Sequence, residues 1–199
     1  MPRTPEQYEE IRNGKRQLIV NVALELFANQ GYTSTSISQI AEKANMSKGL
    51  LYNYFKSKEE LLNAIISKTI AGVMSMIDPN NDNIISDEEA LDFFDLFFSS
   101  MKNNTVEMKN YFQLTFQPEV LKLLAEGYAA KRDSRYAEMF INFFEKRSPK
   151  NARLKILNLV STLKGFSMQY VFAPEFFPDE LVDAYKEYLK DVFVRGVNE

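Results

Sequence analysis

From Lys15 to Gln30 the apolar residues fall in two rows, Leu18, Val22, Leu26 and Ile19, Ala23, Phe27, which is the spacing of one amphipathic helical face. Gly31 supplies the stop. After the polar run Thr33-Ser34-Thr35-Ser36, helical spacing returns with Ile37, Ile40, Ala41 and Ala44. Ser36 with Gln39 fits a capping box, so the pattern predicts a short helix over 37–43 that ends near Asn45. Ser47 caps a second, from Lys48 to about Phe55, and two short helices joined by a tight turn make a helix-turn-helix outline. Ser57 with Glu60 opens a longer helix carrying Leu62, Ile65, Ile66, Ile70 and Val73 on one face.

Asp78 to Asp87 interrupts the pattern with a proline and three asparagines and is the expected domain boundary. Beyond it, Ala90, Phe93, Phe94, Phe97, Phe98 and Met101 form a stripe at 3-4 spacing, apolar enough to be buried on most sides. Further helices are expected at about Val106–Phe116, Glu119–Lys131 and Asp133–Lys146. Ser148-Pro149 reads as an N-cap with proline in the first turn, opening a long helix to about Phe172. Pro174 to Pro178 breaks it, and a last helix runs from about Asp179 to Gly196. Nothing alternates at period two for long enough to predict a sheet. The expected fold is all-α: an N-terminal three-helix helix-turn-helix domain at 11–72 and a larger helical domain at 73–199.

Composition narrows the chemistry. The chain has 199 residues with no His and no Cys, so Ser-His-Asp triads, thiol nucleophiles, zinc fingers and disulfides are excluded. An enzyme is not expected, nor a cofactor. No stretch approaches 18 consecutive apolar residues, and Met1 to Gly14 is polar, so no membrane partner and a cytoplasmic location are expected. The net charge of −3 hides a split. Residues 1–72 carry 9 Lys+Arg against 7 Asp+Glu, and residues 73–199 carry 15 against 20. From Lys43 to Lys58 there are four Lys and no acidic residue, beside Tyr52, Tyr54 and a line of hydroxyls. Those are the side chains that reach phosphate oxygens.

The stretch from Gly31 to Leu61 resembles the DNA-binding signature of the tetracycline-repressor (TetR) family. The likeness is dense over roughly Ile11 to Ile70 and rests on Ile40-Ala41, on Ser47-Lys48-Gly49, on Leu51-Tyr52-Asn53-Tyr54-Phe55 and on Ser57-Lys58-Glu59-Glu60-Leu61. Asn45-Met46 stands where the family commonly has Gly-Val; Asn tolerates the positive φ of the turn. The resemblance implies base-edge contacts from Ser38, Lys48, Gly49, Leu50 and Tyr52, with the N-terminus of the second short helix foremost in the major groove. It implies phosphate contacts from Thr35, Ser36, Ser47, Tyr54 and Lys58. Ser36 and Ser47 can equally be helix caps, and Leu51, Phe55, Ile40 and Ala41 are expected in the core.

The same resemblance implies a transcriptional regulator, most often a repressor, binding double-stranded palindromic operator DNA as a homodimer. The last two long helices are the expected dimer pair through Ile156, Val160, Leu163, Tyr185, Tyr188, Leu189 and Val192. The middle helices hold the candidate pocket for an apolar small-molecule effector: Phe94, Phe97, Phe98, Met101, Tyr111, Phe112, Phe116, Gln113, Phe140 and Phe143. Asp78, Asn80, Asp82, the Ile84 carbonyl, Ser86 and Glu89 fall at the ligand positions of an EF-hand loop, with Asn83 where Gly makes the sharp turn. The alternative is an Asx-rich connector in which Ser86 and Glu89 cap the next helix. A Ca²⁺-responsive regulator and one without an effector are the alternative functions.

Overall fold

The computed structural model describes residues 4–130 and 134–196, and all regular structure among them is helical. The helices are α1 (Pro5–Gln30), α2 (Ile37–Lys43), α3 (Lys48–Tyr52), α4 (Lys58–Ile77), α5 (Asp87–Asn103), α6 (Thr105–Thr115), α7 (Pro118–Ala130), α8 (Ser134–Glu145), α9 (Ala152–Phe172) and α10 (Asp179–Lys190). A 3₁₀ turn, Pro174–Phe176, and a π-helical turn, Asp191–Arg195, complete them. The sequence-predicted helix ends at Lys131 and Asp133 lie outside the described residues.

Helix α1 starts ten residues before the apolar pattern does. Thr4 and Gln7 form a reciprocal capping box and Pro5 opens the first turn, so local chemistry starts a helix that has no buried face until Ile19. At the second proposed start, Ser148 and Pro149 form a turn instead of a cap, with Asn151 N–H donating to the Ser148 carbonyl. Helix α9 therefore begins at Ala152. Gly196 ends the last helical turn with φ 71°, a left-handed stop.

The chain divides into two compact units. The first, a headpiece, runs to Ile70 and also takes in Asn110–Glu126. Its core holds Ile19, Ala23 and Phe27 of α1, Ile40 and Ala41 of α2, Leu51 and Phe55, Leu61, Leu62 and Ile65 of α4, and Leu114 and Val120 from the inserted segment. Helix α4 is long and apolar enough, by length and composition, to cross a membrane. Here Leu61, Leu62, Ile65 and Ile66 of its first turns are buried in protein.

The second unit, Ala71–Lys109 with the chain from Gly127 on, has an aromatic core. Phe98 of α5 meets Phe166 of α9 at 5.4 Å between ring centroids, and Phe166 meets Tyr185 of α10 at 4.8 Å and Phe177 at 5.4 Å. On its rim, the buried ammonium of Lys190 reaches both carboxylate oxygens of Asp95, at 2.9 and 2.8 Å, and Glu187 at 2.9 Å.

Candidate nucleic-acid interface

The α2–turn–α3 element is built by its caps. Ser36 accepts from Gln39 N–H at 3.2 Å while the Gln39 side chain accepts from Ser36 N–H at 2.7 Å, closing the box at the start of α2. The turn that follows takes Asn45 to φ 53°, as expected for an Asn in this place, and Met46 N–H donates back to the Ala41 carbonyl at 2.9 Å. Ser47 then caps α3 by accepting from Leu50 N–H at 3.1 Å. Leu51 and Phe55, both fully buried, pin the short helix to the core. Helix α3 stops at Tyr52, three residues before the expected end, because Asn53 and Tyr54 donate to the Leu50 and Leu51 carbonyls in tighter turns.

This places Lys48 and Gly49 at the exposed N-terminus of α3, with Tyr52 also exposed, Leu50 half-buried, and Ser38 exposed on α2. Lys48 has no hydrogen-bond or ion-pair partner among the described residues. A Cβ built on Gly49 would meet nothing within 4 Å, and its φ is ordinary. Nothing among the described residues therefore requires glycine at that position.

Ser36 and Ser47 are exposed caps, and Tyr54 is half-buried against the core. Two of the residues expected at phosphate point elsewhere. Thr35 is 1% exposed and its hydroxyl donates to the Gly31 carbonyl at 2.8 Å, so it shapes the α1–α2 corner from within. Lys58 also turns inward: its ammonium donates to the carbonyls of Tyr32 at 2.6 Å, Thr33 at 3.1 Å and Thr35 at 3.0 Å, and lies over the Tyr32 ring. Burial holds its pKa below the ordinary lysine value. An ammonium has three donors, and all three are spent. The other two lysines are engaged as well, Lys43 with Glu25 at 2.6 Å and Lys56 with the Tyr52 carbonyl at 2.9 Å. Of the cationic run, Lys48 alone among the described residues faces outward without a partner.

The corner itself depends on a residue outside the helix-turn-helix segment. Gln117, in the turn between α6 and α7, donates from Nε2 to the Phe27 carbonyl at 2.7 Å and accepts the Tyr32 N–H on Oε1 at 2.7 Å. It lies 85 residues from Tyr32, with no motif around it, so nothing in the sequence marks it.

The expected effector residues do not converge. Phe94, Phe98, Met101 and Phe143 are buried in the second unit, with Phe97 and Phe140 half-buried against the same core. Tyr111, Phe112, Gln113 and Phe116 lie in the segment that belongs to the headpiece. The void lined by Phe94, Phe140 and Phe143 with Phe93, Phe144 and Phe193 measures about 10 Å³, close to the room one water needs. A preformed small-molecule site is ~300–1,000 Å³.

The expected dimer residues also separate. Leu163 and Leu189 are buried in the monomer core, while Ile156, Tyr185 and Val192 are half-buried. Val160 and Tyr188 are more than half exposed, as are Leu154 and Leu157 on α9. Between α9 and α10 lies an open groove of about 400 Å³, lined by Thr162, Gly165, Phe166, Gln169, Leu181 and Tyr185 among others.

The Asp78–Glu89 loop has its polar groups turned on itself. The buried Asp78 carboxylate accepts from Asp82 and Asn83 N–H at 3.1 and 3.3 Å, Asn80 accepts from Asp82 N–H at 2.9 Å, and Glu89 closes a capping box with Ser86. Asn83 takes φ 64° in place of glycine. Among the described residues no group of three or more carboxylates is gathered to hold a metal ion.

Residues 19–65 match the model for bacterial regulatory proteins of the tetR family. The uncharacterized HTH-type transcriptional regulator YuxN of Bacillus subtilis (strain 168) is 49% identical over 53 residues, 27% of this chain and 18% of YuxN. The matched stretch thus spans about a fifth of that relative. Two solved structures match nearly the whole chain. A transcriptional regulator from Aquifex aeolicus VF5 aligns at 25% identity and TM-score 0.61, over 90% of this chain and 99% of that one. SmeT, solved in complex with triclosan, aligns at 16% identity and TM-score 0.66, over 90% of each chain.

Proposed function

On the match of residues 19–65 to the model for bacterial regulatory proteins of the tetR family, we propose that the chain is a cytoplasmic one-component transcriptional regulator. It binds a palindromic operator as a homodimer, represses from it, and is released by an apolar small molecule. One observation carries the DNA-binding reading: α3 presents at its N-terminus an unpartnered ammonium, Lys48, beside a glycine that the protein's own packing does not require. A bare backbone next to a cation is what close approach to base edges and phosphate calls for. The exposed hydroxyls of Ser36 and Ser47 flank it at two helix starts.

The dimer reading is supported by the apolar side chains that α9 and α10 leave exposed, Leu157, Val160, Leu181 and Tyr188. Two such helices from each subunit make a four-helix bundle. The effector reading is supported by the wholly apolar wall of the second unit's core and by the triclosan held by a protein of the same fold. The void inside that aromatic core is only about 10 Å³, so an effector that binds there enters by displacing aromatic side chains.

Selection of bound sequences from random duplex DNA tests the proposal. The expected product is a palindrome whose half-sites are about 34–36 Å apart, or a multiple of that. No enriched sequence, or an unpaired half-site together with a species of only 23.0 kDa in the ultracentrifuge, refutes it.

A further inference from the structure

Tyr32 lies in the corner that turns the chain from α1 into α2, and both its backbone groups are taken by side chains. Its N–H donates to Gln117 Oε1 and its carbonyl accepts from Lys58 Nζ. The other end of the Gln117 amide holds the Phe27 carbonyl, in the last turn of α1. One side chain thus bridges two backbone groups on either side of Gly31, whose φ of 92° makes the bend. Ser36, the cap of α2, follows four residues after Tyr32, and α2 packs on α3.

Leu114 and Val120 seat the segment around Gln117 in the headpiece core. Apolar burial of that kind is non-directional and sets no angle. Hydrogen bonds do set one, because they weaken steeply away from linearity. The segment is also foreign to the helix-turn-helix sequence: Ala71–Lys109 before it and the chain from Gly127 on belong to the second unit.

We propose that Gln117 is a positioning residue for operator binding. Its amide fixes the distance and direction between the end of α1 and Tyr32, and so aims α2 and the α3 face that carries Lys48 and Gly49. The inference rests on the DNA-binding reading above, but not on the repressor or effector parts of it.

The test uses the full chain and the DNA recovered by selection. Gln117→Met, of similar length but with neither amide group, is expected to raise the amide exchange rate of Tyr32 at least tenfold by NMR. It should weaken operator binding about 5- to 50-fold in fluorescence anisotropy while unfolding stays cooperative. Gln117→Glu keeps an acceptor for Tyr32 N–H but sets a carboxylate oxygen against the Phe27 carbonyl, so it is expected to retain Tyr32 protection and still weaken operator binding, because the bridge to α1 is broken. Faster Tyr32 exchange with wild-type affinity overturns the positioning role. A Tyr32 N–H that is unprotected in the unsubstituted protein overturns the latch itself, even where a variant fails to fold. Failure of the unsubstituted protein to bind any selected DNA overturns the DNA-binding reading and this inference together, a result distinct from either of the others.

Discussion

Gly49→Ala separates what the fold needs from what DNA needs. The added methyl meets nothing within 4 Å and enters a helical position with ordinary φ, so it introduces no clash and no backbone strain. Glycine in a helix is less favourable than alanine by ~0.5–1 kcal/mol, mainly through the entropy of the unfolded chain. The variant should therefore unfold at equal or higher urea concentration than the wild type. Against DNA the sign reverses. A methyl forced into a contact already at van der Waals distance costs ~1–3 kcal/mol. In the proposed dimer two copies enter one operator complex, so a per-site cost of ~1.4 kcal/mol becomes ~2.8 kcal/mol, a hundredfold loss of affinity. Urea unfolding by circular dichroism and anisotropy on the selected operator measure the two arms. Unchanged operator affinity would refute the placement of α3 against DNA, and a lower urea midpoint would refute the open surroundings of Gly49.

Lys48→Met should cost ~1–3 kcal/mol per half-site and relax base preference next to it, read by repeating the selection with the variant. Lys58→Met acts on stability instead: with three carbonyls losing their shared donor it should lower the unfolding free energy of the headpiece by ~1–3 kcal/mol, and leave the salt dependence of DNA binding as in the wild type. In the second unit, burial raises the Asp95 pKa, but hydrogen bonds from Lys190 and Lys186 outweigh it and the net shift is below the ordinary 3.8. The stability from this cluster is therefore present above the unfolded carboxylate pKa and lost as pH falls through the lower folded value. Lys190→Met should destabilise by ~1–2 kcal/mol at pH 7, since Asp95 is half exposed and keeps Lys186, and should flatten the loss of stability below about pH 4 in denaturant titrations. Val160→Glu, at an exposed α9 position, should leave the monomer fold intact and shift sedimentation toward 23.0 kDa; an unchanged dimer would exclude this face.

Much of the local chemistry, which acts over a few residues, was legible. The capping boxes at Ser36 and Ser86, the positive φ of Asn45 and the two short helices of the candidate interface follow from side chains reaching a few positions along the chain, and the helix end at Gly196 from the lack of one. So does the all-helical architecture, since a 3.6-residue apolar period needs no partner to be recognised. The early start of α1 escaped the pattern because its first turns bury nothing.

What the chain alone did not disclose is how long side chains are used once distant segments meet. Lysines at 48 and 58 look alike in sequence, yet one points outward without a partner and the other is spent on three carbonyls of a loop more than twenty residues earlier. The stripe from Phe93 to Phe116 reads as one aromatic reserve, yet the units divide it at Asn110. Gln117 carries no local signal at all. Periodicity and capping by themselves determined that this protein is helical and where its helix-turn-helix lies, because those energies are short-ranged. The direction of a flexible side chain, and the joining of residues 110–126 to the headpiece, were decided only by tertiary structure, because buried carbonyls and apolar surface take whichever partners the packed chain brings within reach.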